Sequence, residues 1–275
     1  MNKIDNGILG ILGNPLDQSM SPLLHNYWIR QNKLTCSYNK FLLHNIKDID
    51  KALKILNIIG LNITIPYKKL IIKYLDKVEK TALKLQAVNT VVNKNGSLIG
   101  YNTDTIGFLE GLKKFKNLEN RLPGVIIGAG GAAEAVIYSL KDKGMKEIIL
   151  MNRTQKKAEQ LAGKYKDVVV KNWLDKNYIN NAGIIVNTTS LGMIGYPSLP
   201  ISLNNTSKRT KIYDIVYNPL ETNFIKEAKK NNLEFVTGLE MFLEQAKESF
   251  NIWFKFKPKV NSYLLNRIKL KIKYQ

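Results

Sequence analysis

Apolar residues fall into short runs bounded by glycine, proline and asparagine. These runs alternate with stretches in which apolar side chains recur every three or four positions. Residues 8–12 read as a buried strand ending at Gly13-Asn14-Pro15. Ser21 reads as the N-cap, and Pro22 as the first residue, of a helix carrying Leu23, Leu24, Tyr27 and Trp28. A strand over 38–43, a helix over 46–56, a strand over 61–65 stopped by Pro66 and a helix over 68–85 follow. Residues 88–92 and 98–101 pattern as a hairpin around Asn95-Gly96, and Thr103-Asp104 precedes an amphipathic helix with Ile106, Leu109 and Leu112. Farther on, strands at 147–151, 184–187, 211–216 and 234–236 alternate with helical stretches, which predicts a parallel, doubly wound sheet. A final helix over 239–253 is expected to pack back onto the first part of the chain. The expected class is α/β with two domains, one of 1–104 completed by 239–275 and one of 105–238.

The strand before the second sheet ends in Gly128-Ala129-Gly130-Gly131-Ala132-Ala133, a glycine turn that opens a helix. Gly128 permits the turn, Gly130 lets the backbone approach a pyrophosphate, and Ala133 is small enough for the helix to pack on the strand. The helix N-terminus then offers N–H groups and the positive end of its dipole to the anion. The next strand ends in Asn152-Arg153-Thr154, where an NAD-binding chain places a carboxylate. A carboxylate repels a 2′-phosphate and a guanidinium fork grips one, so the expected cofactor is NADP, with Lys157 one turn on as a second positive charge. The second domain is thus expected to be a Rossmann-type NADP domain.

A hydrophobic content of 44% supports a proper core. No charged leader with an apolar segment and no membrane-length apolar run is found, and Cys36 is the single cysteine. The expectation is a soluble, cytoplasmic protein, monomer or homodimer, without membrane partners. The net charge of +20 raises nucleic-acid binding. The five arginines are scattered, however, and the lysines are spread through a sequence rich in asparagine and isoleucine, so no nucleic-acid partner is expected. Two histidines and one cysteine make no catalytic zinc site, and no metal is expected.

Four segments are polar where a core would be apolar: Ser19-Met20-Ser21-Pro22, Asn62-Ile63-Thr64-Ile65-Pro66-Tyr67-Lys68, Asn89-Thr90 and Asn102-Thr103-Asp104. Each alone has a plain structural reading, with Ser21 or Asp104 a helix cap and Lys68 a surface lysine. Together with Gly13-Asn14-Pro15, His25-Asn26, the glycine turn, Asn187-Thr188-Thr189-Ser190-Leu191-Gly192-Met193, Asp214-Ile215-Val216-Tyr217-Asn218-Pro219, Gly238, Met241 and Gln245, they resemble the shikimate dehydrogenases over residues 8–253.

The resemblance implies reversible reduction of 3-dehydroshikimate to shikimate with NADPH, a step toward chorismate and aromatic amino acids. It implies Ser19 and Ser21 on the substrate carboxylate and Thr64, Asn89, Asp104 and Gln245 on ring hydroxyls, with Tyr217 also at the substrate. Lys68 and Asp104 are the implied catalytic pair, Lys68 as proton donor and electrostatic stabiliser and Asp104 orienting it. Thr188, Ser190, Met193, Val216, Gly238 and Met241 join Gly128–Ala132 and Asn152–Thr154 in holding the cofactor. Three positions depart from the family pattern: Gln18 replaces a common His, Gln86 a frequent Gly, and Phe254-Lys255 a frequent Thr-Gly. A quinate dehydrogenase using NAD, an NADP-binding regulator without turnover and a nucleic-acid binder are the rival readings. Arg153 and the Ser19/Ser21 pair oppose the first, and Lys68 with Asp104 the second.

Overall fold

Ile8–Gly13 (β1) is apolar apart from its glycines and nearly all buried. It runs parallel to Ser37–Leu42 (β2) on one side and Ile58–Ile63 (β3) on the other. Lys77–Val78 (β4), Thr90–Lys94 (β5) and Ser97–Tyr101 (β6) complete a mixed sheet in the order β2-β1-β3-β5-β6-β4. The tight β5–β6 connection uses Asn95 and Gly96, both at positive φ, and the Asn93 side chain accepts the Gly96 N–H at 2.9 Å. These residues come from a computed structural model that describes positions 7–49, 53 and 58–274.

Two compact units emerge, Met1–Asp104 with Gln245–Gln275 and Thr105–Glu244. In the first, Ser21–Gln31 (α1) begins one residue earlier than its sequence suggests. Met20, not Ser21, holds the cap position; its carbonyl accepts the Leu24 N–H and its side chain is buried. Ser21 lies inside the first turn, its N–H reaching the Ser19 hydroxyl at 3.4 Å. Of the helix expected over 46–56, the structure shows a 3₁₀ turn at Ile46–Asp48 and buried Ile49 and Leu53; positions 50–52 and 54–57 lie outside the described residues.

The continuous helix expected over 68–85 is not formed. A 3₁₀ turn at Leu70–Tyr74 gives way to β4 and then to a short helix, Lys80–Lys84 (α2). The Asp76 N–H donates to the Leu98 carbonyl at 2.9 Å, and the Asp76 carboxylate accepts the Leu98 N–H at 2.7 Å. Pairing with β6 overrides the helical spacing of the apolar residues.

Asp104–Leu112 (α3) closes the first unit with its first residue and opens the second with the next. The second unit holds Gly124–Ile127 (β7), Ile148–Met151 (β8), Val168–Lys171 (β9), Ile184–Asn187 (β10), Lys211–Asp214 (β11) and Phe235–Val236 (β12). All run parallel, in the order β12-β11-β10-β7-β8-β9. This is the doubly wound dinucleotide-binding order, with its switch point between β7 and β10. Both faces are covered. Ile126, Leu150 and Val186 enter one core, and Val125, Ile127, Ile149 and Ile185 the other. The helices here are Gly131–Asp142 (α4), Gln155–Ala162 (α5), Lys176–Asn180 (α6) and Asn223–Lys230 (α7).

Gly238–Phe254 (α8) ends in the first unit. There the Trp253 indole donates to the Val91 carbonyl at 2.9 Å and lies over Gly60, where any Cβ would sit 2.2 Å from Nε1. Ser262–Lys273 (α9) packs on α1: the Asn261 amide donates to the Tyr27 hydroxyl at 2.7 Å, and the Trp28 indole to the Lys259 carbonyl at 3.0 Å. Among the described residues no helix is long and apolar enough to cross a membrane.

Candidate functional site

In the first unit, β1 and β3 end side by side. The Thr64 N–H donates to the Leu12 carbonyl at 2.9 Å, and the Asn14 N–H to the Ile65 carbonyl at 3.0 Å. The loops carrying Ser19, Ser21 and Thr64 therefore leave the same edge of the sheet, outside the carboxyl ends of parallel strands. Ser19 and Thr64 are partly exposed there; Ser21 is buried at the start of α1.

Lys68 follows in the next turn, its carbonyl accepting the Val88 N–H at 2.8 Å. That bond ties it to the segment leading into β5. Its ammonium lies 2.5 Å from Asp104 Oδ2, with the side chains only 17% and 8% exposed. The other carboxylate oxygen accepts from Asn89 Nδ2 at 2.8 Å. The Asp104 N–H donates to the Asn102 side chain at 3.0 Å, so Asn102 fixes the backbone from which the carboxylate projects. Gln245, on α8, is half-buried, its side-chain oxygen 3.4 Å from the Thr103 hydroxyl. Lys68, Asn89, Asp104 and Gln245 thus converge within one unit. A lysine donor fixed against a carboxylate can hand a proton to, or take one from, an oxygen presented to it.

The second unit holds the glycine turn. Gly128 has φ +109, and a Cβ there would meet the Thr188 hydroxyl at 2.7 Å. Gly130 is extended, caps α4 without a side chain, and has nothing within 4 Å of where a Cβ would point. The space beside Gly130, at the start of α4, is therefore open, as the approach of a pyrophosphate to a helix N-terminus needs. Glu134, buried in the first turn of α4, is neutralised by Lys164 at 2.6 Å. Arg153, Thr154 and Lys157 are exposed beyond β8, and Arg153 makes no ion pair among the described residues. These positions fit an NADP whose 2′-phosphate lies at Arg153.

Thr188 is placed differently from a simple ligand contact. Its hydroxyl donates to the Ile127 carbonyl at 2.9 Å, so it clamps the glycine turn from β10. Ser190 is exposed; Met193 is partly buried in the loop that follows. The Gly238 N–H donates to the Val216 carbonyl at 3.2 Å, and a Cβ at Gly238 would meet the Ile215 carbonyl at 2.1 Å. Met241 enters the core, and Tyr217 stacks on Phe242 at 4.6 Å. Asp214, quoted in a motif but given no role, anchors this end. Its carboxylate accepts from Asn187 at 2.9 Å, Thr222 at 2.6 Å and the Val216 N–H at 3.0 Å. Burial pushes its carboxyl up to about 6 against the pull of those bonds.

Sequence reading also gave no role to Asn62, Thr90, Thr103 and Ser249, which lie buried behind Lys68 and Asp104. The available signal was spacing, since Ser249 stands four residues after Gln245 and so shares its face of α8.

Comparison with known proteins covers both units. The family model described as the shikimate dehydrogenase substrate binding domain matches residues 11–91, and the model for shikimate / quinate 5-dehydrogenase matches 111–215. The shikimate dehydrogenase (NADP(+)) of Pelagibacter ubique is 38% identical over 258 residues, which are 93% of this chain and 96% of that protein. The crystal structure of shikimate dehydrogenase from Aquifex aeolicus superposes with a TM-score of 0.85 at 36% identity, over 97% of this chain and 98% of the other. That of shikimate 5-dehydrogenase from Thermus thermophilus, in complex with NADP(H) and shikimate, gives 0.84 at 29% identity, over 97% and 100%.

Proposed function

The chain belongs to the shikimate dehydrogenase family, and from that premise we propose that it interconverts shikimate and 3-dehydroshikimate with NADP(H), using Lys68 and Asp104 at the reacting centre. The observation that carries this reading is the enclosed Lys68–Asp104 pair at 2.5 Å, steadied from behind by Asn89. NADP(H), when bound, supplies the hydride acceptor or donor. The ketone oxygen gains negative charge during reduction, and the Lys68 ammonium stabilises it and delivers the proton; in oxidation Lys68 receives that proton. Asp104 holds the ammonium in place and accepts from a ring hydroxyl.

Ser19 and Ser21 bind the substrate carboxylate through their hydroxyls. Thr64, Asn89 and Gln245 bind the ring. Gly128–Ala132 receives the pyrophosphate and Asn152–Thr154 with Lys157 the adenosine 2′-phosphate. Thr188, Ser190, Met193, Val216, Gly238 and Met241 form the wall beside the nicotinamide, Thr188 by shaping the glycine turn. The first unit with its returning helix is the substrate domain and the second the cofactor domain. Both partners are small molecules, neither a nucleic acid nor a membrane, and the single cysteine suits a reducing, cytoplasmic setting.

The test is direct. NADP⁺ and NAD⁺ reduction is followed with shikimate and with quinate. Turnover of shikimate with NADP⁺ is expected to dominate. No turnover of shikimate with either cofactor would overturn the reading, and preferential oxidation of quinate would reassign the substrate.

Arg153 gives a second prediction. Charge-assisted bonds to the 2′-phosphate contribute about 1.5–3 kcal/mol each. Arg153→Ala is therefore expected to lower the ratio of kcat/KM for NADP⁺ over NAD⁺ by about 10- to 100-fold, with kcat for shikimate little changed. An unchanged ratio would remove Arg153 from the cofactor site.

A further inference from the structure

Behind Asp104 lies a hydrogen-bonded set of side chains that the proposed chemistry does not itself call for: Asn89, Thr90, Thr103, Asn62 and Ser249, each at most 6% exposed. The positions of their protons follow from groups that can act in one way only. The backbone N–H of Thr103 can only donate, and Asn89 Oδ1 lies 2.8 Å from it. The Asn89 amide nitrogen must then face Asp104 Oδ1 at 2.8 Å and Thr103 Oγ1 at 3.0 Å. Likewise Asn62 Oδ1 accepts from the Tyr38 hydroxyl at 2.7 Å. Its amide nitrogen is thereby directed at Ser249 Oγ and Thr90 Oγ1, at 3.0 and 3.1 Å. The Gln245 backbone carbonyl can only accept, and it takes the Ser249 hydroxyl hydrogen at 3.0 Å.

Ser249 Oγ, its own hydrogen committed, offers the Thr103 hydroxyl an acceptor at 3.2 Å, nearer than Gln245 Oε1 at 3.4 Å. Thr103 Oγ1 then keeps its lone pairs toward Asn89 Nδ2, and the Thr90 hydroxyl lies between Ser249 Oγ at 2.8 Å and Asn89 Oδ1 at 3.1 Å. Both ends of the Asn89 amide are held, and its two hydrogens are divided between Thr103 and Asp104. Without the Ser249 oxygen, the Thr103 hydroxyl can turn to Asn89 Oδ1, 3.2 Å away, and the division is lost.

We propose that Ser249 is a positioning residue: from α8, through Thr103 and with Thr90, it fixes the Asn89 amide that orients the Asp104 carboxylate against Lys68. This rests on the reading of Asp104 as a reacting-centre residue. The arrangement links the helix that supplies Gln245 to the carboxylate on α3, so one turn of α8 both contacts substrate and sets the geometry of the proton-transfer pair. A buried network of this kind acts as a unit, and coupling between its members is the quantity that distinguishes positioning from packing.

The test is a double-mutant cycle on shikimate oxidation with NADP⁺, using Ser249→Ala, Asp104→Asn and the pair together, with thermal unfolding of each to verify the fold. Thr90→Val, which removes a hydroxyl of the same unit without changing the volume, stands in if Ser249→Ala fails to fold. In the wild-type background Ser249→Ala is expected to lower kcat about tenfold, with KM for NADP⁺ unchanged. In the Asp104→Asn background the same change is expected to cost under about twofold, because the group it positions is already gone. Effects that multiply, or a wild-type kcat for Ser249→Ala, overturn the proposal while leaving Asp104 in its role. A wild-type kcat for Asp104→Asn overturns the role of Asp104 itself, and the positioning argument with it.

Discussion

Replacing Lys68 by alanine is expected to lower kcat for shikimate oxidation by roughly 10²–10⁴-fold while leaving KM within a small factor. Among the described residues the ammonium is the one donor bonded to Asp104 Oδ2, and only 17% of its side chain is exposed. It acts on charge that develops at the oxygen as the hydride moves, so its removal raises the transition state more than the bound ground state. The substrate would still meet the hydroxyls of Ser19, Ser21 and Thr64. Steady-state kinetics with shikimate and NADP⁺, alongside thermal unfolding, separates lost catalysis from a lost fold. A large rise in KM at normal kcat would make Lys68 a binding residue and end its acid–base role.

The second large effect is on stability. His25 is fully buried on α1, and among the described residues neither ring nitrogen has a hydrogen-bond partner. Tyr38 stacks on it at 4.4 Å, Trp28 meets its edge at 5.5 Å, and Phe250 and Trp253 close the cage at 6.1 and 5.3 Å. Burial in this apolar shell pushes its pKa from 6.5 down to about 3. The unfolded chain thus takes up a proton near pH 6.5 that the folded chain refuses until about pH 3. The stability from keeping His25 neutral is complete above the higher value and declines as pH falls toward the lower, by about 1.4 kcal/mol per pH unit. Between pH 7.5 and 4.5 the wild-type chain is expected to lose about 3 kcal/mol through this group, whereas His25→Phe, which keeps a flat ring in the stack, is spared that loss. Urea unfolding of both proteins at the two pH values measures it. Parallel declines would show that the acid sensitivity lies elsewhere.

Much of the cofactor unit was legible because its signals are local. A β-type run, a glycine turn, a helix and a strand ending in Arg153 follow one another within 30 residues, and the backbone demands of Gly128 and Gly130 are written in the residues themselves. In the first unit β1, β2, β5 and β6 were legible to within two residues at their ends, whereas β3 begins three residues earlier than the sequence suggests and β4 was not foreseen. The helix over 68–85 was misread because β4 is extended only through its pairing with β6, 22 residues away, which no local periodicity records.

The network behind Asp104 was invisible for the same reason at greater range: Asn62 and Ser249 meet across 187 positions. On β3 the alternation does explain the side of the sheet they share. Leu61 and Ile63 enter the apolar core, while Gly60 and Asn62 face α8. Two departures from the family pattern also gain a physical reading. Gln86 and Lys255 stand where glycine is frequent, and both keep positive φ, 48 and 64 degrees. At Gln86 the bonds of Gln86 N–H to the Leu83 carbonyl and Ala87 N–H to the Ala82 carbonyl form the helix end that glycine ordinarily favours.

The division of α8 after Glu244 bears on the order in which the protein is made. A ribosome releases Thr105–Glu244 as one uninterrupted stretch, with both faces of its sheet already supplied with their helices. Met1–Asp104 emerges earlier but without Ser249, Phe250 and Trp253, so Gly60 has no indole above it, Asn62 lacks one of its acceptors, and His25 has two sides of its cage missing. The unit synthesised first is therefore the one completed last. During the interval its uncovered sheet face is the surface on which a nascent chain of this kind would depend on chaperones.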